Sequence, residues 1–234
     1  MQLMMTLHGD APVDAISAYL AAHGVNVLGT EELADEGATI VEIGDAPAVV
    51  ANERSALRAV WILDVVSREA AIELAKNAPG DAATLEIRES YTPQDFGAPP
   101  NPEPPAPAPP PMRKPGTHRF IALIRSHDEE RNNFPTPESM VRMDEYCGPL
   151  AESNTMIGGQ GLKPSKKGTR VRRAGAQRFM VDGPFAESKE LIGGYIIVQV
   201  ATLADAVEAI RPWVRIHREG QRVSKCTIEV RRLV

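Results

Sequence analysis

Apolar and polar residues follow two different spacings along this chain. Four stretches carry apolar residues three and four positions apart, the spacing of amphipathic helices, and we predict helices at about residues 13–23, 67–77, 137–152 and 202–211. Pro212 is expected to end the last of them, because an internal proline removes a helix hydrogen bond. Short apolar or alternating stretches between the helices are typical of strands.

The same pattern occurs twice. Residues 59–75 (AVWILDVVSREAAIELA) align without a gap on residues 194–210 (GYIIVQVATLADAVEAI), and residues 84–90 (TLEIRES) then align on residues 227–233 (TIEVRRL). Each half therefore predicts one α+β unit of βαββαβ order. Two helices cover only one face of a four-stranded antiparallel sheet, so we expect the two sheets to pack against each other within the chain.

A proline-rich segment separates the two copies. Eleven of the twenty prolines lie between Pro93 and Pro115, and such a stretch forms neither a helix nor a sheet ladder because proline has no N–H to donate. We predict domains at residues 1–91 and 116–234, joined by a semi-stiff linker of residues 92–115.

Composition indicates a cytoplasmic globular protein without a structural metal. Apolar residues make up 43% of the chain, no apolar run approaches the ~20 residues of a membrane helix, and Cys147 and Cys226 lack zinc-site spacing. Residues 1–92 carry five Lys and Arg against fifteen Asp and Glu, whereas residues 116–234 carry nineteen against fourteen. These opposite net charges favour docking of the two copies, in a monomer or at most a dimer of such chains.

A distinctive motif lies in the second copy. Residues 182–195 read DGPFAESKELIGGY and precede the strand IIVQV. This segment resembles the DGPF subgroup of the YCII-related proteins, whose motif is DGPFAE(T/S)KE followed by two glycines and an aromatic strand. The resemblance extends over residues 118–234. The equivalent segment of the first copy, residues 51–59 (ANERSALRA), lacks the motif, so we interpret the first copy as degenerate.

The resemblance implies a dimeric α+β-barrel fold, in which ferredoxin-like units pair through their sheets around a central cleft. Tandem copies would form it as an intramolecular pseudo-dimer. Relatives of this fold include muconolactone isomerases and a chlorohydroxyquinol dehydrochlorinase, and DGPF proteins are often encoded beside extracytoplasmic-function sigma factors. The resemblance therefore supports two hypotheses: a cofactor-independent acid–base enzyme of isomerase, lactone or dehydrochlorinase type, and a non-catalytic regulatory or ligand-sensing module.

The motif residues allow two interpretations. Asp182 can cap the following turn and Phe185 can anchor it, which is a structural role. Alternatively, Asp182 is a general base, Lys189 an anion or enolate partner, and Glu187 a modulator of both. The paired His and Asp of YCII-type proteins outside the DGPF subgroup is not carried over, because the helix around Arg142 contains no histidine.

Strand alternation predicts a second set of candidates in the cleft between the sheets. Polar residues of TLEIRES and TIEVRRL should face the opposing sheet, while the apolar residues face the helices. The first strand of a βαββαβ unit lies between the third and fourth, so His8 is expected near Asp64 and Glu86 as an acid–base group. The other candidates for ligand contacts are Arg125, Tyr195, Gln199, Glu229 and Arg231.

Basic residues concentrate in residues 163–173 (KPSKKGTRVRR). Nucleic acid is disfavoured as a partner, because no aromatic residue is interleaved with them and the pI of the chain is about 5.6. A phosphate-bearing ligand and a solvated hairpin docked toward the acidic half remain as interpretations. No flavin, nicotinamide or phosphate-loop signature occurs, so no cofactor is predicted. His217 is expected to be solvated near a helix end. A small-molecule ligand is the predicted partner.

Overall fold

The computed structural model describes residues 1–43, 46–51, 56–98, 114–125, 136–185, 191–221 and 226–234. Two predicted site residues, Glu187 and Lys189, lie outside these ranges, as does most of the proline-rich linker. None of the described helices is both long enough and apolar enough to cross a membrane.

Within the described residues, the first half contains five strands and two helices. They are β1 (Gln2–Asp10), α1 (Val13–Ala22), β2 (Asn26–Ile43), β3 (Ala46–Ala51), β4 (Leu57–Asp64), α2 (Arg68–Asn77) and β5 (Ala82–Glu89). Helix α2 begins directly after Ser67, whose hydroxyl caps it by accepting a hydrogen bond from Ala70 N at 3.2 Å. After α2 the chain turns at Gly80, whose φ of +106° favours glycine.

The second half has a similar order of strands and helices, with four described strands between its helices where the first half has three. Its described elements are β6 (His118–Arg125), α3 (Pro137–Glu152), β7 (Met156–Gly161), β8 (Thr169–Ala174), β9 (Gln177–Asp182), β10 (Ile192–Val200), α4 (Leu203–Gln221) and β11 (Thr227–Leu233). The prediction that Pro212 ends α4 is wrong, since the helix continues to Gln221. Trp213 and Val214 pack into the core of this half, and their burial outweighs the one backbone hydrogen bond that proline removes.

The described strands pair antiparallel in one continuous sheet. Its order is β7-β10-β6-β11-β2-β4-β1-β5-β8-β9, with β3 on the other side of part of β2. In the first half, β1 lies between β4 and β5; in the second, β6 lies between β10 and β11. The first strand of each half therefore has the position that a βαββαβ unit predicts.

Two strand pairs join the halves. β11 pairs with β2, with Glu229 opposite Thr39, and β5 pairs with β8, with Glu86 opposite Arg170. In both cases the last strand of one half lies beside a strand from the hairpin region of the other half. The two halves therefore contact each other through backbone hydrogen bonds as well as side chains.

Buried apolar side chains form three clusters. One lies between the helices and the sheet in each half, and Leu85 and Ile87 belong to the first of these, whereas Ile228 and Val230 belong to the second. The alternation of TLEIRES and TIEVRRL predicts this orientation. The third cluster, which we call the central core, draws on strands of both halves and contains Met4, Leu33, Leu57, Val60, Ile62, Ile121, Leu123, Leu162, Ile192, Tyr195 and Leu233.

Candidate functional site

A cavity of ≈ 480 Å³ lies in the second half, between α3, α4 and the strands β7 and β10. Residues from the segment 91–96, which follows β5 of the first half, complete its wall. Small-molecule sites in proteins have volumes of about 300–1,000 Å³. The cavity is therefore large enough for a metabolite, and both halves of the chain contribute to it.

Each helix presents one face to the cavity. Its lining residues follow the i, i+3, i+4 spacing that places side chains on the same side of a helix. They are Ser139, Met140, Met143, Asp144 and Cys147 on α3, and Trp213, Ile216 and His217 on α4. Most of these side chains are apolar, while Asp144 and His217 bring a carboxyl group and an imidazole to the wall.

Glycines line the strand side of the cavity. Gly159 and Gly161 of β7 and Gly193 and Gly194 of β10 belong to this surface. A Cβ on Gly194 would lie 2.9 Å from Gln160 O, which is closer than real Cβ atoms approach, so glycine permits the two strands to lie side by side here. Gly194, the second of the two glycines that follow the DGPF motif, thus has a structural reason for lacking a side chain.

The segment 91–96 is held over the cavity by specific contacts. Tyr91 N donates a hydrogen bond to Gly161 O at 2.9 Å, and the rings of Tyr91 and Phe96 lie 5.5 Å apart. Lys163 Nζ lies 3.0 Å from Asp95 Oδ1, and Asp95 Oδ2 accepts a hydrogen bond from Thr92 N at 2.7 Å. Although burial opposes ionisation, the hydrogen bonds from Thr92 and Lys163 lower the pKa of Asp95. The Asp95–Lys163 pair is therefore charged at neutral pH.

Two further groups at the cavity are neutral at physiological pH. Burial, and then the charge of Asp144, raise the pKa of the Cys147 thiol to about 11. Burial also raises the pKa of the Tyr195 phenol, whose ring belongs to the central core as well. Because the thiolate is the nucleophilic form of cysteine, Cys147 is suited to packing rather than to covalent catalysis.

Three of the predicted cleft residues form a buried ionic cluster. Glu229 Oε2 accepts a hydrogen bond from Arg125 Nε at 3.1 Å, and Glu229 Oε1 accepts one from Arg231 Nη1 at 3.0 Å. Arg231 Nε also donates to Ala34 O of the first half at 2.8 Å. The structure thus brings Arg125, Glu229 and Arg231 together, and their buried charges are paired with one another.

The first half carries a matching cluster that the sequence named only in part. Glu86 Oε1 accepts from Arg88 Nη1 at 3.1 Å and Glu86 Oε2 from Arg170 Nε at 2.8 Å, while Arg88 Nε donates to Lys163 O at 3.2 Å. Burial opposes ionisation of Glu86, but the charges of Arg88 and Arg170, and then of His8, lower its pKa. Glu86 and Arg88 correspond to Glu229 and Arg231 in the repeat.

His8 and Asp64 are not neighbours, and the expected pairing of these two residues is wrong. His8 lies opposite Leu57 in the β1–β4 register, whereas Asp64 lies opposite Gln2 at the other end of the pair. Asp64 instead binds the N-terminal ammonium group at 3.0 Å. His8 Nε2 lies 3.1 Å from Thr6 Oγ1, and His8 remains close enough to Glu86 to influence its ionisation.

Asp182 lies at the outer edge of the sheet, outside the cavity. Its Oδ1 atom accepts hydrogen bonds from Thr169 Oγ1 at 2.6 Å and from Arg68 Nη2 of the first half at 3.0 Å, and 65% of its side chain is exposed. A Cβ on Gly183 would lie 1.9 Å from Ser165 O, so only glycine fits there. Phe185 is buried, and the guanidinium carbon of Arg170 lies 4.1 Å from its ring centroid.

The remaining candidate, Gln199, is buried away from the cavity. Gln199 Nε2 donates a hydrogen bond to Asn154 O at 2.8 Å, and its Oε1 accepts one from Lys114 N at 3.3 Å. Gln199 therefore ties the end of the linker to the second half. Tyr195 is the one predicted site residue among the described ones that lines the cavity.

Sequence reasoning missed Asp144 as a site residue, and it placed His217 in solvent. The signal was present in the helical spacing of Met140, Met143, Asp144 and Cys147, which puts the carboxyl group on an otherwise apolar face. Asp144 is exposed, so it is not part of a buried ion pair, and its place among apolar lining residues marks it as a candidate site residue.

The described residues contain no cluster of His, Cys, Asp and Glu that could hold a metal ion. A comparison with curated proteins gives no match. A comparison with protein families matches residues 125–215, a range that includes α3, the DGPF segment, β10 and the cavity-lining part of α4 up to Arg215. The family that matches this part of the chain, which supplies most of the cavity wall, is the YCII-related domain.

Proposed function

We propose that this protein binds a small, largely apolar molecule in the cavity between α3 and α4, and that Asp144 and His217 transfer protons to and from it. The observation that carries the proposal is a cavity of ≈ 480 Å³ whose apolar walls contain a carboxyl group and an imidazole on neighbouring helices. These two groups are a common pair for general acid–base catalysis without a cofactor. Isomerisation or elimination next to a carbonyl group, and lactone chemistry, are the reactions this pair suits.

This location differs from the inter-sheet cleft that the sequence suggested. The central core fills the space between the two parts of the sheet with apolar side chains. Around it, Glu86 and Glu229 are each paired with two arginines. We therefore assign the ligand to the helix side of the second half, and we assign Asp182, Glu229 and Arg231 to the contacts that hold the halves together.

The proposed architecture is a pair of tandem ferredoxin-like units that forms an intramolecular α+β barrel, with domains at residues 1–91 and 116–234. Three observations support it: the equal position of β1 and β6 within their halves, the reciprocal pairing of β11 with β2 and of β5 with β8, and the matched clusters around Glu86 and Glu229. In this arrangement the first half is a degenerate copy, and its last residue, Tyr91, together with the start of the linker reaches the cavity of the second half.

A ligand-sensing module is the second candidate. The segment 91–96 both lines the cavity and leads directly into the proline-rich linker. A ligand that displaced Tyr91 or Phe96 would change the conformation at the start of the linker, and a partner protein could bind this altered conformation. An enzyme and a sensor would bind the same molecule, and only an enzyme would convert it.

Tryptophan fluorescence offers a direct test of binding. Trp213 lines the cavity and Trp61 is the only other tryptophan in the chain, buried in the core of the first half. In a Trp61→Phe background, 8-anilinonaphthalene-1-sulfonate and a panel of aromatic carboxylic acids and lactones are titrated against Trp213 emission. We expect saturable quenching by the dye and by at least one member of the panel.

A matched pair of variants locates the binding. Cys147→Phe adds a ring inside the cavity, whereas Val141→Phe adds the same ring on the exposed side of α3. Cys147→Phe should weaken binding at least tenfold and Val141→Phe should leave it unchanged. Equal affinities in the two variants would contradict the assignment. Asp144→Asn and His217→Gln should retain binding of a converted ligand and abolish its conversion, while a ligand that is bound but never converted favours the sensor.

A further inference from the structure

Strand β9 is an open edge of the sheet with unusual side chains. It pairs with β8 on one side, and none of the described strands pairs with its other side. All six of its residues are exposed, and Phe179, Met180 and Val181 are 48%, 45% and 50% exposed. Open edges usually carry charges, prolines or bulges that prevent pairing with another chain. The middle of β9 carries three consecutive apolar residues instead.

The strand at the opposite end of the strand order, β7, differs from β9 in this respect. The outer edge of β7 is covered by the chain itself, since Tyr91 N donates to Gly161 O and Ser90 forms a bridge with Leu162. β9 has no such cover among the described residues, although it stands at the end of the same strand order.

We infer that β9 is the contact surface for a second copy of this chain, with the two β9 strands paired antiparallel around Met180. Antiparallel pairing of identical edges requires a two-fold axis perpendicular to the sheet, which keeps each face of the sheet on its own side. Residues opposite each other must then point to the same face, so the axis passes through one residue position and not between two.

Charge selects Met180 as that position. Arg178, Met180 and Asp182 share one face of β9, because they lie opposite Arg173, Val171 and Thr169 of β8. With the axis at Met180, Arg178 lies opposite Asp182 of the second copy, and Phe179 lies opposite Val181. Moving the axis to Phe179 places Arg178 opposite Met180, and moving it to Val181 places Met180 opposite Asp182, so neither shift pairs the charges.

The contact groups are available for this pairing. Arg178 donates to the backbone oxygens of Lys76, Gly175 and Gln177, and these carbonyls do not neutralise its charge. Asp182 binds Arg68 within its own chain, yet most of its side chain stays exposed. Each two-fold contact would contain two Arg178–Asp182 pairs and two Phe179–Val181 pairs around one Met180 pair.

A cysteine-trapping experiment tests the register. In the Met180→Cys variant the two new thiols lie across the axis with Cα atoms about 4.5–5.5 Å apart, within the span of a disulfide. Diamide, which takes up the two thiol hydrogens as the disulfide forms, should convert most of this variant to a covalent dimer. Phe179→Cys is the matched control, because its two thiols lie about two residues apart along the strands, with Cα atoms roughly 8 Å apart. The native chain, with its own two cysteines, is the second control.

Sedimentation velocity tests for the dimer without covalent trapping. The native chain should sediment as a dimer at tens of micromolar and dissociate on dilution, whereas Phe179→Lys should be a monomer. Because Phe179 is exposed, the melting temperature of Phe179→Lys should equal that of the native chain when both are measured on diluted, monomeric protein. A native chain that stays monomeric at 100 µM would overturn the inference. Equal disulfide yields from Phe179→Cys and Met180→Cys would overturn the register.

Discussion

Arg68 at the start of α2 binds the first residue of the DGPF segment, Asp182, with 3.0 Å between Arg68 Nη2 and Asp182 Oδ1. The same Oδ1 accepts a hydrogen bond from Thr169, its partner across β8 and β9. The motif in the second half of the chain is thus held by a side chain of the first half. This contact offers a physical role for the motif that requires no chemistry at Asp182.

The substitution Asp182→Asn should therefore have only a small effect on the stability of the fold. The Arg68–Asp182 pair is largely exposed on the Asp182 side, and exposed pairs contribute about 0–1 kcal/mol to the free energy of unfolding. We expect a loss of less than about 1 kcal/mol in urea unfolding and an unchanged affinity for the anilinonaphthalene dye. Arg68→Gln should have a similar effect, and the double variant should lose less than the sum of the two. Loss of dye binding in a stable Asp182→Asn protein would show that Asp182 belongs to the site.

The substitution Gly183→Ala should strongly destabilise the fold. The added Cβ would lie 1.9 Å from Ser165 O, so the backbone of one strand end must move. We expect the free energy of unfolding to fall by about 2–3 kcal/mol, as for other overpacked positions. Gly158→Ala is the control, because a Cβ there meets no atom within 4 Å, and its change should stay within about 0.5 kcal/mol. Equal stabilities of the two variants would contradict the close approach at Gly183.

Glu86→Gln should destabilise the contact between the halves. Its neutral amide would leave Arg88 and Arg170 without their counter-charge, and removing one partner of a buried pair costs about 3–5 kcal/mol. Glu73→Gln is the control: its carboxylate pairs with Lys76 at the surface, so the loss should stay below about 0.5 kcal/mol. Urea unfolding of the two variants and the native chain at pH 7 measures both changes in the free energy of unfolding. A Glu86→Gln protein as stable as the native one would show that the buried cluster contributes nothing.

The pH dependence of stability follows from the same carboxylate. The pKa of Glu86 is lower in the folded chain than its ordinary value of 4.5, so its contribution is fully present above about pH 4.5 and is lost as the pH falls through the folded value. As the pH is lowered below 4.5, the urea concentration at the unfolding midpoint of the native chain should decrease. The midpoint of Glu86→Gln should decrease less over the same pH range. Parallel pH curves for the two proteins would contradict the assignment of this carboxylate.

Cys147 should react slowly with alkylating reagents. With a thiol pKa of about 11, on the order of one molecule in ten thousand carries a thiolate at pH 7. The rate of modification by iodoacetamide, followed by mass spectrometry of the Cys147 peptide, should rise about tenfold for each pH unit between 7 and 10. The anilinonaphthalene dye should slow the reaction, because Cys147 lines the cavity. A rate that levels off near pH 8.5 would show that the thiol has an ordinary pKa.

Several elements were within reach of local reasoning. Ser67 and Thr136 cap α2 and α3 because an N-cap needs only the residues of the next helical turn. The length of α4 was not within reach of local reasoning. Pro212 locally favours the end of the helix, but the burial of Trp213 and Val214 outweighs that effect. Likewise, antiparallel order placed His8 near Glu86, but the register that separates His8 from Asp64 depends on how two distant strands align.

The sequence by itself determined the helix starts and the orientation of side chains along TLEIRES and TIEVRRL, because these follow from spacings of two to four residues. Tertiary structure alone decided that β11 pairs with β2, that Asp182 meets Arg68, and that Asp144 and His217 share a cavity closed by Tyr91. These relationships join residues that lie between 53 and 200 positions apart in the chain. Their energies depend on burial and on pairing across the two halves, which no local spacing encodes.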